Sequence, residues 1–181
     1  MQTPKVSIII LTYNQDEFIE RAIKSALDQT YKNFEIIISN NGSTDNTVKI
    51  IESFLPNKKI IFQNYLTNES PNLRQNQAID ISTGQLISWL YGDDYYLPNK
   101  IEIQVNSFDS LDQSYGVVYG PGFSEDALTN KKILSSSLSY SGFCLDIFLI
   151  KWLKEGNINP ISPLVRRSCY DKFRPAKSIF T

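Results

Sequence analysis

Apolar, β-branched runs alternate with stretches of helical periodicity, and this constrains the fold more than any other feature. "KVSIIILTY" (5–13) is continuously apolar, as in a strand covered on both faces of a parallel sheet. "NQDEFIERAIKSALDQT" (14–30) follows, with Phe18, Ala22, Ile23, Ala26 and Leu27 at helical spacing and Asn14 or Asp16 as the expected cap. A second strand lies in "FEIIISNNGSTDNT" (34–47); Ser43 or Thr44 is expected to cap a helix running to about Phe54. "KKIIFQN" (58–64) reads as a third strand. Pro71 opens a helix with Leu73, Ala78, Ile79 and Ile81 on its apolar side, stopped by Gly84. "QLISWL" (85–90) is a fourth strand, and Pro98 begins a helix with Ile101, Val105 and Phe108 inward. "YGVVYG" (115–120) is a fifth strand. Such spacing means βαβ units, and so an α/β fold with a mostly parallel sheet and helices on both faces.

Ligands of such sheets sit at the carboxyl ends of the strands. Three polar groups fall there: Thr12-Tyr13-Asn14, Asn40-Asn41-Gly42 and Asp93-Asp94. The spacing gathers them around one crevice.

Composition removes several chemistries. The chain has no histidine, so acid–base work falls to carboxylates, Lys, Tyr or Cys. The 18 basic and 19 acidic residues leave a net charge of −1, with no basic stripe for a nucleic-acid partner. Cys144 and Cys169 read as reduced thiols rather than a disulfide framework. "FCLDIFLIKWL" (143–153) is interrupted by Asp146 and Lys151 and reads as a buried or interfacial helix, not a membrane span. Residues 120–142 read as a hairpin or mobile loop over the site.

"SWLYGDDYYLP" (88–98) carries the chemistry. Adjacent carboxylates at a strand end repel each other, and a divalent cation stabilises them as a pair. Oxygen-only ligands suit Mg²⁺ or Mn²⁺ bridging to phosphates. Gly92 lets the backbone turn just before them. The alternative is an ordinary strand-to-helix turn, where Asp is common. A polymerase reading of Tyr-Gly-Asp-Asp fails: that turn lies in an antiparallel hairpin and needs a basic channel.

Two segments together resemble the family 2 glycosyltransferases, inverting enzymes of the GT-A, Rossmann-like fold. They are "VSIIILTYNQDEFIERAIKSALDQTYKNFEIIISNNGSTDNT" and "TGQLISWLYGDDYYLPNKIE", and the likeness resumes at "GNINPISPLVRRSCYDKF" (156–173). The resemblance implies a nucleotide-diphosphate sugar donor, a UDP-sugar foremost, and a saccharide or lipid-linked acceptor. It also implies Mn²⁺ or Mg²⁺ held by Asp94 with Asp93 close by, near ribose or metal. Thr12 and Tyr13, with Asn14 beside them, would flank base and ribose; the alternative for Tyr13 is ordinary packing at a strand end. Arg74 would face the nucleotide or its phosphates, or be a solvated helix arginine. The location expected is cytoplasmic, peripheral at the inner membrane face.

Departures from the pattern bear on that expectation. Asn40-Asn41 replace two family acids, so Asn41 would meet the base as a neutral amide. Tyr91 stands where the family has a first metal-proximal acid. The general base, often in a Glu-Asp pair, is expected beyond Thr181; Glu125-Asp126 falls too early, and Asp171 and Glu155 read as surface charges. The expectation is one domain over 1–181, with 1–120 binding the donor and 121–181 an incomplete acceptor-side part. The alternative is a nucleotide-sugar binding module without turnover.

Overall fold

The computed structural model describes residues 3–126, 129, 131–135 and 163–172. Strands β1 (Val6–Thr12), β2 (Phe34–Asn41), β3 (Ile60–Tyr65) and β4 (Leu86–Tyr91) alternate with helices α1 (Ile19–Leu27), α2 (Thr47–Glu52) and α3 (Pro71–Ile81). Helix α4 (Lys100–Asp109) and the short β5 (Val117–Val118) follow, then a hairpin of β6 (Gly122–Glu125) and β7 (Lys132–Ser135). β8 (Leu164–Arg166) leads directly into α5 (Arg167–Lys172). The main sheet runs β3-β2-β1-β4-β8-β5. β1 to β4 are mutually parallel, and β8 is antiparallel to both its neighbours.

Every residue of β1 and β2 is buried, as continuous apolar runs with both faces covered should be. Ile8, Ile10, Ile36 and Ile38 face α1, α2 and α4; Ile9 and Ile37 face the opposite side, where α3 packs through Ala78 and Ile79. Each fully buried isoleucine contributes about 1.5–3 kcal/mol relative to exposure. Helix α4 presents Ile101, Val105 and Phe108 as its period predicts, and α1 presents Ala22, Ile23 and Ala26 as expected, with Ile19 buried in place of Phe18, which lies ahead of the helix half-buried like Leu27. Edge strand β3 is only partly covered.

Local expectations fail at specific places. Helix α1 starts at Ile19, with no side-chain cap from Asn14 or Asp16. Helix α2 starts at Thr47, uncapped by Ser43 or Thr44. The polar side chains at both starts tie the two loops together instead. Helix α3 buries Arg74, Ala78 and Ile79, while Leu73 and Ile81 are only half-buried. It ends at Ile81, with Ser82 extended, two residues ahead of Gly84. The fifth strand shrinks to two residues, and β8 is a strand that periodicity did not foresee. Residues 120–142 do contain a hairpin, β6–β7; the expected helix 143–153, Cys144 and Glu155 lie outside the described residues. Among the described residues no helix is long and apolar enough to cross a membrane.

At the amino-terminal edge of the sheet, the Glu35 carboxylate accepts bonds from Lys5 Nζ (2.6 Å), Ser7 Oγ (2.6 Å), and Thr83 N (2.6 Å) and Oγ1 (2.9 Å). Burial pushes this carboxyl up. Those four bonds outweigh it and hold the group at about 2.

Candidate functional site

The register fixes which groups meet at the carboxyl edge. Thr12 pairs with Asn40, Leu11 with Tyr91, and Asn41 with Tyr65. The three polar groups expected there do share one edge.

At the end of β1, Thr12 is buried and donates through Oγ1 to Gln15 Oε1 at 2.9 Å. Tyr13 is 43% exposed. Asn14 adopts a left-handed backbone (φ 50°), a conformation asparagine tolerates better than most residues. Its N–H donates to Ser43 Oγ at 2.9 Å, and its Oδ1 accepts from Thr44 N at 2.8 Å. Asp16 Oδ2 accepts from Asn46 N and Nδ2, both at 3.3 Å, and Asp16 N donates to Asp45 Oδ2 at 3.1 Å. The loops after β1 and β2 are thereby laced together, and Tyr13 is left exposed at the crevice.

At the end of β2, Asn41 is buried and uses all of its hydrogen-bonding capacity. Its Nδ2 donates to Asn68 Oδ1 (2.8 Å) and Glu69 O (2.9 Å). Its Oδ1 accepts from Glu69 N (2.9 Å) and Arg74 Nε (2.8 Å). Asn40 donates to Asn64 Oδ1 at 2.8 Å and accepts from the Ser43 hydroxyl. Arg74 is not a solvated helix residue; it is 4% exposed. Its guanidinium also donates to Gln77 Oε1 (3.0 Å) and Thr67 O (2.7 Å) and lies 3.7 Å from the Tyr65 ring centroid. The partner Asn41 and the ring of Tyr65 supply the environment that draws this charge inward. Gly42 has φ 80°, and a Cβ there would sit 2.6 Å from the Thr67 carbonyl carbon, so only glycine lets the β3–α3 loop pack down.

At the end of β4, the Gly92 N–H donates to Leu11 O at 2.9 Å, and Asp94 N donates to Tyr91 O at 3.0 Å. A Cβ at Gly92 would lie 2.3 Å from Gln15 Oε1 and 2.6 Å from Thr12 Oγ1. Asp93 is exposed and Asp94 half-buried. Burial, then the charge of Asp93, raise the Asp94 carboxyl to about 6, against a smaller pull from Arg21. The Tyr91 hydroxyl is pushed up by burial first and then by Asp94, and bonds Gln75.

The acid pair suits a divalent cation. Its donors are oxygen only, and burial together with the neighbouring Asp93 charge makes the ionised Asp94 carboxylate costly without a cation. Among the described residues no third acidic, histidine or cysteine ligand joins the pair. A cation held by Asp93 and Asp94 would complete its shell with water and phosphate oxygens, the usual preference of Mg²⁺.

Three residues that the sequence reading did not single out for the site, Arg21, Tyr95 and Lys132, frame its other side together with Glu125, which that reading set aside as too early for a base. Arg21 lies 4.3 Å from the Tyr95 ring centroid and donates to Glu125 Oε2 at 3.3 Å. Lys132 reaches Glu125 at 4.0 Å. This cluster pins the β6–β7 hairpin to α1 and to the acid loop, around a cavity of about 680 Å³. Exposed charges on a helix and a hairpin carry no sequence signal for such a meeting. Beneath the acid loop, Lys100 Nζ donates to Ser88 Oγ at 2.6 Å, 4.1 Å from the Tyr96 ring centroid. Burial depresses this amine to about 7. Asp171, weighed as a proton acceptor, lies on α5 as an exposed charge.

Residues 7–172 match the model of glycosyl transferase family 2. An uncharacterized glycosyltransferase of Rickettsia typhi is 44% identical over 117 residues, covering 65% of this chain and 36% of the relative. The Escherichia coli UDP-Glc:alpha-D-GlcNAc-diphosphoundecaprenol beta-1,3-glucosyltransferase WfaP is 39% identical over 105 residues, covering 58% and 41%. The fold resembles S. aureus TarS 1-349 in complex with UDP-GlcNAc (TM-score 0.73, 19% identity, 93% of this chain and 47% of that one). It also resembles the Pyrobaculum calidifontis mannosyltransferase PcManGT in complex with GDP-Man and Mn²⁺ (TM-score 0.66, 16% identity, 94% and 47%). The chain thus spans less than half the length of these proteins. With the family model matching from the first strand to the last helix, the chain belongs to glycosyl transferase family 2.

Proposed function

We propose that this site serves a glycosyltransferase that moves a sugar from a nucleotide-diphosphate donor, a UDP-sugar, to an acceptor hydroxyl with inversion, in glycan assembly. The observation that carries this reading is the acid pair at the end of β4, in register with the polar ends of β1 and β2. UDP and UDP-GlcNAc in TarS, and lipid-linked acceptors among the curated relatives, support the donor and acceptor classes.

In this reading Tyr13, exposed at the crevice, stacks on the base. Thr12 and Asn14 shape the floor, and Arg74 with Asn41 holds the wall. Asp93 and Asp94 hold Mn²⁺ or Mg²⁺, which when bound neutralises charge on the departing diphosphate. The acceptor oxygen forms its bond to the anomeric carbon opposite the diphosphate, whose C–O bond breaks, and the acceptor proton passes to a base.

A nucleotide-sugar binding module without turnover is the second reading, favoured by Glu125. This carboxylate lines the same cavity as Asp94, yet the Tyr95 hydroxyl, with Lys132 and Arg21, holds it below the usual range, which makes it a weak proton acceptor.

Calorimetry with UDP, GDP, dTDP and CMP, with and without Mn²⁺, tests the site. UDP is expected to bind in a Mn²⁺-dependent way, more than tenfold weaker in Asp94→Asn. Affinity should fall by about tenfold per pH unit below about pH 6, as protons compete for Asp94. Absence of nucleotide binding, or an Asp94→Asn variant that binds normally, overturns the reading. Release of free sugar or transfer to an acceptor separates enzyme from binder.

A further inference from the structure

The polar side chains at the ends of β1 and β2 are bonded to the protein itself. Thr12 Oγ1 donates to Gln15 Oε1 (2.9 Å), and Asn14 Oδ1 accepts from Thr44 N (2.8 Å). Asn40 spans from Asn64 Oδ1 (2.8 Å) to the Ser43 hydroxyl, which also accepts from Asn14 N (2.9 Å). The Asn41 amide has two donors and two acceptor positions, and Asn68, Glu69 and Arg74 occupy all four. Arg74 is 4% exposed and bonded through Nε, Nη1 and Nη2. Tyr13 differs from all of these: it is 43% exposed and offers an aromatic face.

From that geometry we infer that the crevice holds a pyrimidine base by stacking on Tyr13 and does not distinguish uracil from cytosine; the inference rests on the donor reading above. Asn41 can reach a base edge only by giving up a bond to Asn68, Glu69 or Arg74, so one hydrogen bond is exchanged for another of similar worth. A site whose polar groups await a particular substrate edge rejects the wrong one by about 10⁴-fold, because those groups are then left unpaired. Here the wrong edge leaves nothing unpaired, since the partners come from the protein. Stacking adds no selection, because every base has a π-face. The bonded set is also held in place. Asn41 grips both the N–H and the carbonyl of Glu69. Gly42, at φ 80°, lets the Thr67 carbonyl carbon settle 2.6 Å from where a Cβ would stand, so the β3–α3 loop is packed onto the end of β2. Choice among pyrimidine nucleotide sugars then falls to the sugar and not to the base.

Calorimetry with UDP and CDP in the presence of Mn²⁺ tests the inference. The two differ only at N3 and C4 of the base, so stacking, ribose and diphosphate contribute alike to both. Their dissociation constants are expected within about threefold of each other. Tyr13→Ala should weaken both by about fivefold or more, and by the same factor. Tyr13 is exposed, so the variant should fold, with unchanged far-UV dichroism. A preference of more than tenfold for either nucleotide overturns the inference and leaves the donor reading standing. Wild-type affinity for both nucleotides in Tyr13→Ala overturns it as well. Failure of both nucleotides to bind removes the donor reading, and the inference with it.

Discussion

Arg74 Nε donates to Asn41 Oδ1 at 2.8 Å, and this bond joins α3 to the end of β2 across a buried, neutral partner. No carboxylate pairs with the guanidinium by salt bridge among the described residues. The charge is held by Asn41, Gln77, Thr67 and the Tyr65 ring. Arg74→Ala would remove the bond to Thr67 O and one of the two bonds that Asn41 Oδ1 accepts. It should destabilise the fold by about 3 kcal/mol in urea titration. Arg74→Lys should recover less than half of that loss, because an ammonium cannot serve three acceptors spread along a planar fork. A lysine variant as stable as wild type would refute this account of the clasp.

Gly92→Ala tests whether the acid pair is set by close contact with β1. The new Cβ would lie 2.6 Å from Thr12 Oγ1 and 2.9 Å from Thr12 Cβ, a short side chain in a buried position. Gln15 can swing away; Thr12 cannot. A cost of about 1–3 kcal/mol is expected from the overpacking. Mn²⁺-dependent UDP affinity should fall more than tenfold as Asp93 and Asp94 shift. Normal stability and normal affinity would show that the turn has slack.

Glu35 should govern part of the acid limb of stability. Its folded-state value of about 2 lies below its ordinary 4.5, so its contribution is complete above about pH 4.5 and is lost as pH falls toward 2. The difference in unfolding free energy between wild type and Glu35→Gln should therefore shrink steadily over that window. A constant difference from pH 6 to pH 2.5 would contradict the four-bond cradle.

Lys100 should act in a higher pH window, through a charged form that burial disfavours rather than one that bonds stabilise. Its folded-state value of about 7 lies below the ordinary 10.5, so between those limits the unfolded chain binds the proton and the native one does not. Wild-type stability should rise relative to Lys100→Met as pH increases from 7 to 10. At pH 6 the variant should equal or exceed wild type, since an apolar group replaces a buried charge. Parallel stability curves would place the amine in solvent.

Legibility in the sequence followed the range of the interactions involved. β1, β2 and β4 were readable because burial on both faces demands an unbroken apolar run, which is a local signal. β8 was not readable. Leu164 and Val165 sit between Pro163 and Arg166, too short a run for any period, and only pairing with β4 and β5 makes them a strand. The loop residues Asn14, Asp16 and Ser43 have side chains equally suited to capping a helix or bridging to another loop, and the choice depends on residues about thirty positions away. Asp93-Asp94 could be placed because a strand end in a parallel sheet is a topological address. The burial of Arg74 could not, because its partners Tyr65 and Asn41 come from other strands, and a long cation on a helix ordinarily points outward.

The parallel register has one more consequence. Leu11 opposite Tyr91 and Thr12 opposite Asn40 make the sheet a ruler along which three chain segments are marked off against one another. One residue inserted within β4 would advance the acids by about 3.3 Å and turn alternate side chains to the other face. Connections at the amino-terminal edge can drift in length without altering the crevice, whereas the strands tolerate no change of count and the laced loops at the carboxyl edge little. Variation among such chains should therefore gather in the connections and stop abruptly at Val6, Phe34 and Leu86, where each graduated scale begins.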